Sequence, residues 1–434
     1  MAKKYIMDSY PKLCSLLVLS VLICGSIFLV PTSTPLQDIT PPDITHVLHF
    51  PSPPEAAEPL NIMCNVTDNI AVQTVKVIIT APDDALIEED MSFLPSSFYY
   101  YTGTFSLPGL YTYYIWATDT AGNIQTTAIH TLPVFDTQPP IVDLTYPQGG
   151  EHVHGTINIA WTALDASDIH LDGNITLACS TDGGVNYSLL SSEENNDGTY
   201  EFDTTQFLDG TSYRIQVNAT DSSGNIGTDS STADFTIDNT PPQTTPTLIG
   251  PQGQNGWYTD TVTIYLDAID NTSGVASLLY RIENNSWVTY TESFSISSEG
   301  NHTLTFYATD AAGNTEPHKT INIKIDGTDP LVNITKPRPG VLYIMDREII
   351  SLSSNIPLII GTLTVTVDSP NETSGIRLVE FSLDYQSQES ISEEPWTWSW
   401  DDTVLIPRKY LLIVKMYDWA GHTDIGTLVV RKWL

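Results

Sequence analysis

The sequence predicts an all-β chain of four tandem β-sandwich domains after an N-terminal hydrophobic helix. Three observations carry this. A short phrase returns four times: Ala117-Thr118-Asp119-Thr120-Ala121-Gly122-Asn123, Ala219-Thr220-Asp221-Ser222-Ser223-Gly224-Asn225, Ala308-Thr309-Asp310-Ala311-Ala312-Gly313-Asn314, and a worn copy, Met416-Tyr417-Asp418-Trp419-Ala420-Gly421-His422. Its Asp positions are 102, 89 and 108 residues apart, and a period of about 100 is the size of one sandwich domain. Apolar residues alternate with polar ones ahead of each copy, and Pro-containing seams recur at the same period.

The alternation reads as strand. Backwards from the phrase in steps of two lie Ala117, Ile115, Tyr113 and Tyr111; then Ala219, Val217, Ile215 and Tyr213; then Ala308, Phe306, Leu304 and His302; then Met416, Val414, Leu412 and Tyr410. Period two places each set on one face of a strand, toward a core. The Asp-x-x-Gly-Asn that follows is turn chemistry, since Asp bonds amides ahead of it and Gly accepts positive φ. Each phrase therefore predicts the last hairpin of a domain.

Three copies carry Tyr eight residues before the Asp: Tyr111, Tyr213 and Tyr410. This resembles the tyrosine corner of immunoglobulin-type sandwiches. The second Cys of an antibody domain would fall at Tyr113, Ile215 and Leu412, so the resemblance implies a core without the inter-sheet disulfide. His302 replaces Tyr in the third copy, which leaves that corner open and makes His302 a half-buried surrogate or a ligand. Of four Cys, Cys64 and Cys179 fall in different repeats and read as buried free thiols; Cys14 and Cys24 lie in the N-terminal apolar run.

Net charge is −35, and between residues 13 and 213 the only Lys or Arg is Lys76. Phosphate contacts need Lys and Arg, so nucleic acid is excluded as a partner. An acidic surface attracts divalent cations instead. Residues 13–30 carry no charge and follow Lys3, Lys4 and Lys12; the next charged residue is Asp38. A basic flank before an apolar run directs the rest of the chain outward, through a signal peptide or an uncleaved membrane anchor. Nine Asn-x-Ser/Thr sequons, at Asn65, Asn174, Asn186, Asn218, Asn271, Asn284, Asn301, Asn333 and Asn371, fit a glycosylated extracellular surface.

Each junction repeats one seam: Asp38-Ile39-Thr40-Pro41-Pro42, Asp136-Thr137-Gln138-Pro139-Pro140, Asp238-Asn239-Thr240-Pro241-Pro242 and Asp326-Gly327-Thr328-Asp329-Pro330. Pro fixes φ, so the seams are semi-rigid. They divide the chain into a leader (1–35) and domains at 36–136, 137–238, 239–326 and 327–434. Tyr146-Pro147-Gln148-Gly149-Gly150-Glu151, Ser180-Thr181-Asp182-Gly183-Gly184, Asp270-Asn271-Thr272-Ser273-Gly274-Val275 and Tyr417-Asp418-Trp419-Ala420-Gly421 make these domains similar to the Ig-like and fibronectin-III-like repeats of archaeal and bacterial exported surface proteins. The resemblance covers nearly everything after the leader. It implies four Ig-like sandwiches, and it implies spacers, adhesins or enzyme appendages alike.

Catalytic constellations are missing: the sequence has no Gly-x-Ser-x-Gly, no His-Glu-x-x-His and no phosphate-cradling Gly loop. His152 and His154 read as a surface pair, and Glu193 to Asp197 as a hairpin loop without the twelfth-position Glu of a calcium loop. The candidate calcium ligands are spread between domains: Asp68, Asn69, Asp136, Asp238, Asp270, Asn271 and Asp326, with Asp368 in a comparable place. Turn capping by the same residues is the alternative. Trp396, Trp398 and Trp400 share one strand face; exposed they would stack on sugars, and buried they would fill the fourth core. The expected function is that of a non-enzymatic exported surface protein acting in adhesion, envelope structure or ligand display. The rival is a carbohydrate- or protein-binding accessory of a secreted hydrolase. Surface proteins or glycans are the partners either reading needs, together with a membrane if residues 13–30 are retained.

Overall fold

Each copy of the phrase closes an eleven-residue strand: Gly109–Asp119, Gly210–Thr220, Gly300–Asp310 and Arg408–Asp418. This is a computed structural model, which describes residues 37–434 apart from 169, 170, 172, 173, 371 and 434. The leader helix expected over 1–35 lies outside the described residues. Those residues are all-β, with one 3₁₀ turn at Thr204–Gln206.

The alternation in the long strands is the core pattern. Ile115, Ala117, Ile215, Val217, Ala219, Leu304, Ala308, Leu412, Val414 and Met416 are all fully buried. Four separate apolar clusters form, one under each long strand.

The chain divides into two compact units, Met1–Asp136 and Thr137–Leu434. The first holds one sandwich. One of its sheets runs Asp43–Phe50, Pro59–Thr67, Phe98–Thr104, Ser92–Leu94; the other runs Leu86–Asp90, Val72–Thr80, Gly109–Asp119, with Ile124–Thr126 and His130–Val134 both pairing the last.

The second unit holds three sandwiches, each a three-stranded sheet facing a larger one. The small sheets are Ile141–Tyr146 with Thr156–Leu164 and Thr199–Asp203; Gln243–Ile249 with Val262–Ile269 and Phe294–Ile296; and Asn333–Lys336 with Leu363–Asp368 and Thr397–Trp400. In each larger sheet a short strand near the start of the module (His152–Val153, Trp257–Tyr258, Leu358–Ile360) runs parallel to the final one. The fourth module adds a hairpin, Val341–Ile344 and Arg347–Ser351, at this edge.

The tyrosine corner forms in the first two modules, where the resemblance implies it; in the fourth, Tyr410 instead sets its ring edge-on to Trp400 at 5.2 Å. The Tyr213 hydroxyl donates to the Leu208 carbonyl at 2.6 Å, and Tyr111 shares a backbone hydrogen bond with Leu107. His302 takes over the role in the third module, its Nε2 lying 2.7 Å from the Ser298 carbonyl. A corner needs a side chain long enough to reach back to the loop, and imidazole reaches four residues.

The tryptophan row is core, which corrects the sugar-stacking alternative. Trp396, Trp398 and Trp400 are 8 %, 7 % and 0 % exposed. The strand Thr397–Trp400 turns its even positions toward the opposite sheet, where Trp398 lies against Phe381 and stacks on Trp400 at 5.7 Å. The fully buried Lys432 lies over Trp400 and donates to its carbonyl at 2.8 Å. Cys64 and Cys179 are buried and free, and burial pushes both thiols up to about 12.

Candidate metal centres at the module seams

The Asp of the phrase does two jobs at once. In the third module Asp310 Oδ1 accepts the amides of Gly313 at 2.7 Å and Asn314 at 2.8 Å, which closes the turn. Its Oδ2 is held by Asn314 Nδ2 at 2.8 Å. Asp119 repeats this with Ala121, Asn123 and the Asn123 side chain, and Asp221 with Ser223, Asn225 and the Asn225 side chain. All of these carboxylates are nearly or fully buried. Burial alone would push Asp119 up, but the Asn123 side chain and the surrounding amides hold it below the usual carboxylate range.

The seam Asp arrives beside it. Asn314 Nδ2 also donates to the Asp238 carbonyl at 2.7 Å, and Asn123 Nδ2 to the Asp38 carbonyl at 3.0 Å. The seam residue is shared between modules. The Asp238 amide donates to Val153 of the module before it at 2.9 Å, and the Asp326 amide likewise to Tyr258 at 2.9 Å. Their carboxylates point the other way, since Asp238 Oδ2 accepts from Ser273 and Asp326 Oδ2 from Ser374 of the module after.

A loop carboxylate completes the first two groups, and His422 of the worn phrase completes the third. Asp270 Oδ1 caps Thr272, Ser273 and Gly274, and Asp68 Oδ1 caps Ile70 and Ala71. Three clusters result: Asp38, Asp68 and Asp119; Asp238, Asp270 and Asp310; Asp326, Asp418 and His422. In each, the potential ligand atoms lie within 4.8 Å of one another. Glu372 stands beside the third cluster, its carboxyl pushed up to about 7 by burial and then by Asp326 and Asp418. In the first cluster Asp38 Oδ2 and Asp68 Oδ2 are buried and have no hydrogen-bond partner. An acceptor shielded from water without a donor is an unmet requirement that a cation would satisfy.

Of the residues expected from sequence, Asp68, Asp238, Asp270 and Asp326 join clusters. Asn69 turns its amide nitrogen to Asp38 Oδ1 at 3.1 Å. Asn271 is exposed and lines, with Asp270 and Asp209, a groove of about 910 Å³ between the second and third modules. Asp136 closes the first unit and belongs to none of the three clusters. Asp368 is corrected: it accepts from Asn333 at 2.7 Å, and Glu372, after the next bend, stands by the cluster in its place. The sequence reading did not offer Asp119, Asp310, Asp418 or His422 as cluster members, although all four belong to the phrase that recurs in every module.

The second module keeps the local parts. Asp165 Oδ1 caps Ser167 and Asp168, and Asp168 Oδ2 accepts the Ser222 amide at 2.9 Å. His154 lies against Gly313 of the following module, so the histidine pair expected at 152 and 154 is split between strand and seam. Asn174, Asn186, Asn271, Asn284, Asn301 and Asn333 are exposed and Asn65 and Asn218 half-buried; Asn371 lies outside the described residues. No helix among the described residues is long and apolar enough to cross a membrane, and residues 13–30 lie outside them.

Residues 98–239 match the family described as bacterial Ig-like domain (group 3). Among curated proteins none matches. Three solved structures are similar. An ICAM-5 D1–D4 ectodomain fragment is 12 % identical with a TM-score of 0.38, over 90 % of this chain and 99 % of that one. A tetra-tandem repeat from the extending region of a large adhesion protein is 17 % identical with a TM-score of 0.29, over 86 % and 96 %. A Ca2+-stabilized adhesin of an Antarctic bacterium is 15 % identical with a TM-score of 0.24, over 86 % and 93 %.

Proposed function

We propose that this chain is a non-enzymatic, exported surface protein whose Ig-like modules serve adhesion, envelope structure or ligand display, with calcium tying successive modules at their seams. The observation that carries the reading is that two clusters, Asp38-Asp68-Asp119 and Asp238-Asp270-Asp310, are built from the same three separated segments: seam, loop and phrase. Turn capping needs only one carboxylate oxygen per turn. It does not require three carboxylates to converge, and their mutual repulsion opposes convergence.

The donor set fits a hard cation. The first two clusters are all carboxylate oxygen, the ligand type calcium prefers. Asp38 and Asp68 each keep a shielded oxygen free of donors. Asp38, Asp68 and Asp119 would hold one ion and Asp238, Asp270 and Asp310 another. The ion would neutralise the cluster and link a seam to the module that follows it. The third cluster mixes carboxylates with imidazole and is the weakest calcium site of the three.

Export is supported by the charge-free run at 13–30 behind three lysines and by sequons that lie at exposed or half-buried positions. The glycan-accessory reading has lost its best residues, since Trp396, Trp398 and Trp400 are core.

Thermal unfolding with and without calcium tests the proposal. A site occupied at a hundred times its Kd stabilises by about 2.7 kcal/mol, so the melting temperature should rise in millimolar calcium and fall in chelator. No shift in either direction removes calcium from the proposal. Peptide or glycan hydrolysis abolished by one carboxylate substitution would overturn the non-enzymatic part.

A further inference from the structure

Basic side chains are unevenly placed. Residues 36–238 contain 28 Asp and Glu against Lys76 and Arg214, whereas 12 of the 17 Lys and Arg follow residue 238 and nine of them lie in the fourth module. On that module the strands Arg408–Asp418 and Thr423–Trp433 turn Leu412, Val414, Met416 and Val430 inward. Their other face carries, as cross-strand rows, Lys409 with Arg431, Leu411 with Val429, Ile413 with Thr427 and Lys415 with Ile425. Arg377, from the neighbouring strand Ile376–Leu383, lies over Tyr417, as does Lys415.

Two features set this face apart. Lys409 and Arg431 are directly opposed, and like charges in that position destabilise a sheet. Among the described residues none of Arg377, Lys409, Lys415 and Arg431 makes an ion pair, in a chain with 52 acids. Glu380, opposite Lys415, instead accepts the Tyr417 hydroxyl at 2.9 Å. Between these cations Ile425 and Val429 are 55 % and 42 % exposed.

We propose that this face binds a second copy of the chain through its acidic first or second module. Charge complementarity selects the occupant, because the surface of opposite sign is carried by the same polypeptide. The exposed apolar side chains supply contact area, and the cations supply steering and register. The contact joins two different surfaces, so it is heterologous. It leaves a free face on each copy and can extend beyond a dimer.

The experiment uses the full chain in non-ionic detergent, which masks residues 13–30, and in chelator, which removes calcium bridging. Equal amounts of light and ¹⁵N-labelled chain are treated with a carbodiimide, which joins Lys to carboxylates, and mixed-isotope links are mapped by mass spectrometry. Links from Lys409 and Lys415 to carboxylates within 36–238 are expected, with species larger than dimers. The yield should fall roughly ten-fold between roughly 0.05 and 0.5 M NaCl. In sedimentation velocity without carbodiimide, the triple variant K409E/K415E/R431E should stay monomeric at an unchanged melting temperature, while R338E, which reverses a cation outside this face, should associate as the unaltered chain does. Absence of mixed-isotope links, links only between two fourth modules, association that persists in the triple variant, or equal loss of association in R338E would each overturn the proposal.

Discussion

Asn314 and Asp238 are joined by a hydrogen bond of 2.7 Å that spans 76 residues of chain. The same Asn314 nitrogen holds Asp310, so one amide clamps the last hairpin of the third module to the seam that precedes that module. Asn123 does the same for Asp119 and Asp38. In the worn copy His422 keeps only the bond to Asp418, at 3.0 Å.

Replacing Asn314 with Ala should therefore cost more than a surface substitution. It leaves a buried carboxylate oxygen and the Asp238 carbonyl without this donor, for about 1–3 kcal/mol. Urea unfolding of the full chain should show the transition of the second unit moved to lower denaturant and that of the first unit unmoved.

Glu372 predicts an inverted pH dependence in metal-free protein. Its folded pKa of about 7 lies above the ordinary value of 4.5, because burial and then Asp326 and Asp418 disfavour its charge. The folded state therefore binds the proton more tightly, and the contribution to stability is full below about 4.5 and lost as pH rises through about 7. Glu372→Gln should flatten that slope in melting curves taken between these values. A slope that persists in the variant assigns it elsewhere.

The tryptophans make a packing prediction. Trp400→Ala removes a fully buried ring and should destabilise the fourth module by about 3–5 kcal/mol. Trp419→Ala, at a ring that is 44 % exposed, should stay within about 0.5 kcal/mol. Equal losses in denaturant titrations would contradict the burial contrast.

Cys64 and Cys179 should resist thiol reagents in the native chain. Burial pushes both up to about 12, which leaves almost no thiolate near neutral pH. Mass-spectrometric mapping after alkylation should find both unmodified in buffer and both modified in denaturant.

The sandwiches were legible because period-two burial is a one-dimensional signal. The alternation ending at Ala117, Ala219, Ala308 and Met416 states which face is inside before any partner strand is known. His302 was harder, since its corner bond to Ser298 depends on reach rather than pattern. The clusters were only half legible. Asp119 and Asp310 have a complete local explanation as turn formers, and that explanation hides a convergence set by contacts 76 and 85 residues away. Glu372 escaped because its loop matches Asp270–Gly274 only from the Thr-Ser-Gly onward, which sends the expectation to Asp368 instead.

The seam residues also bear on how the second unit can be taken apart. Asp238 and Asp326 give their backbone amide to the module before and their side chain to the module after. A fragment begun at the Pro pair, as domain boundaries are ordinarily drawn, discards a cluster carboxylate of the module it means to keep. A fragment ended there keeps the Asp238 amide on Val153 and the bonds of Asn239 with Gly155, Asp209 and Thr204. Truncation from the two ends is thus unequal. The third and fourth modules are links that close only when the previous one hands over its last residue, and stability along this stretch runs as neighbour coupling rather than as a sum of independent beads.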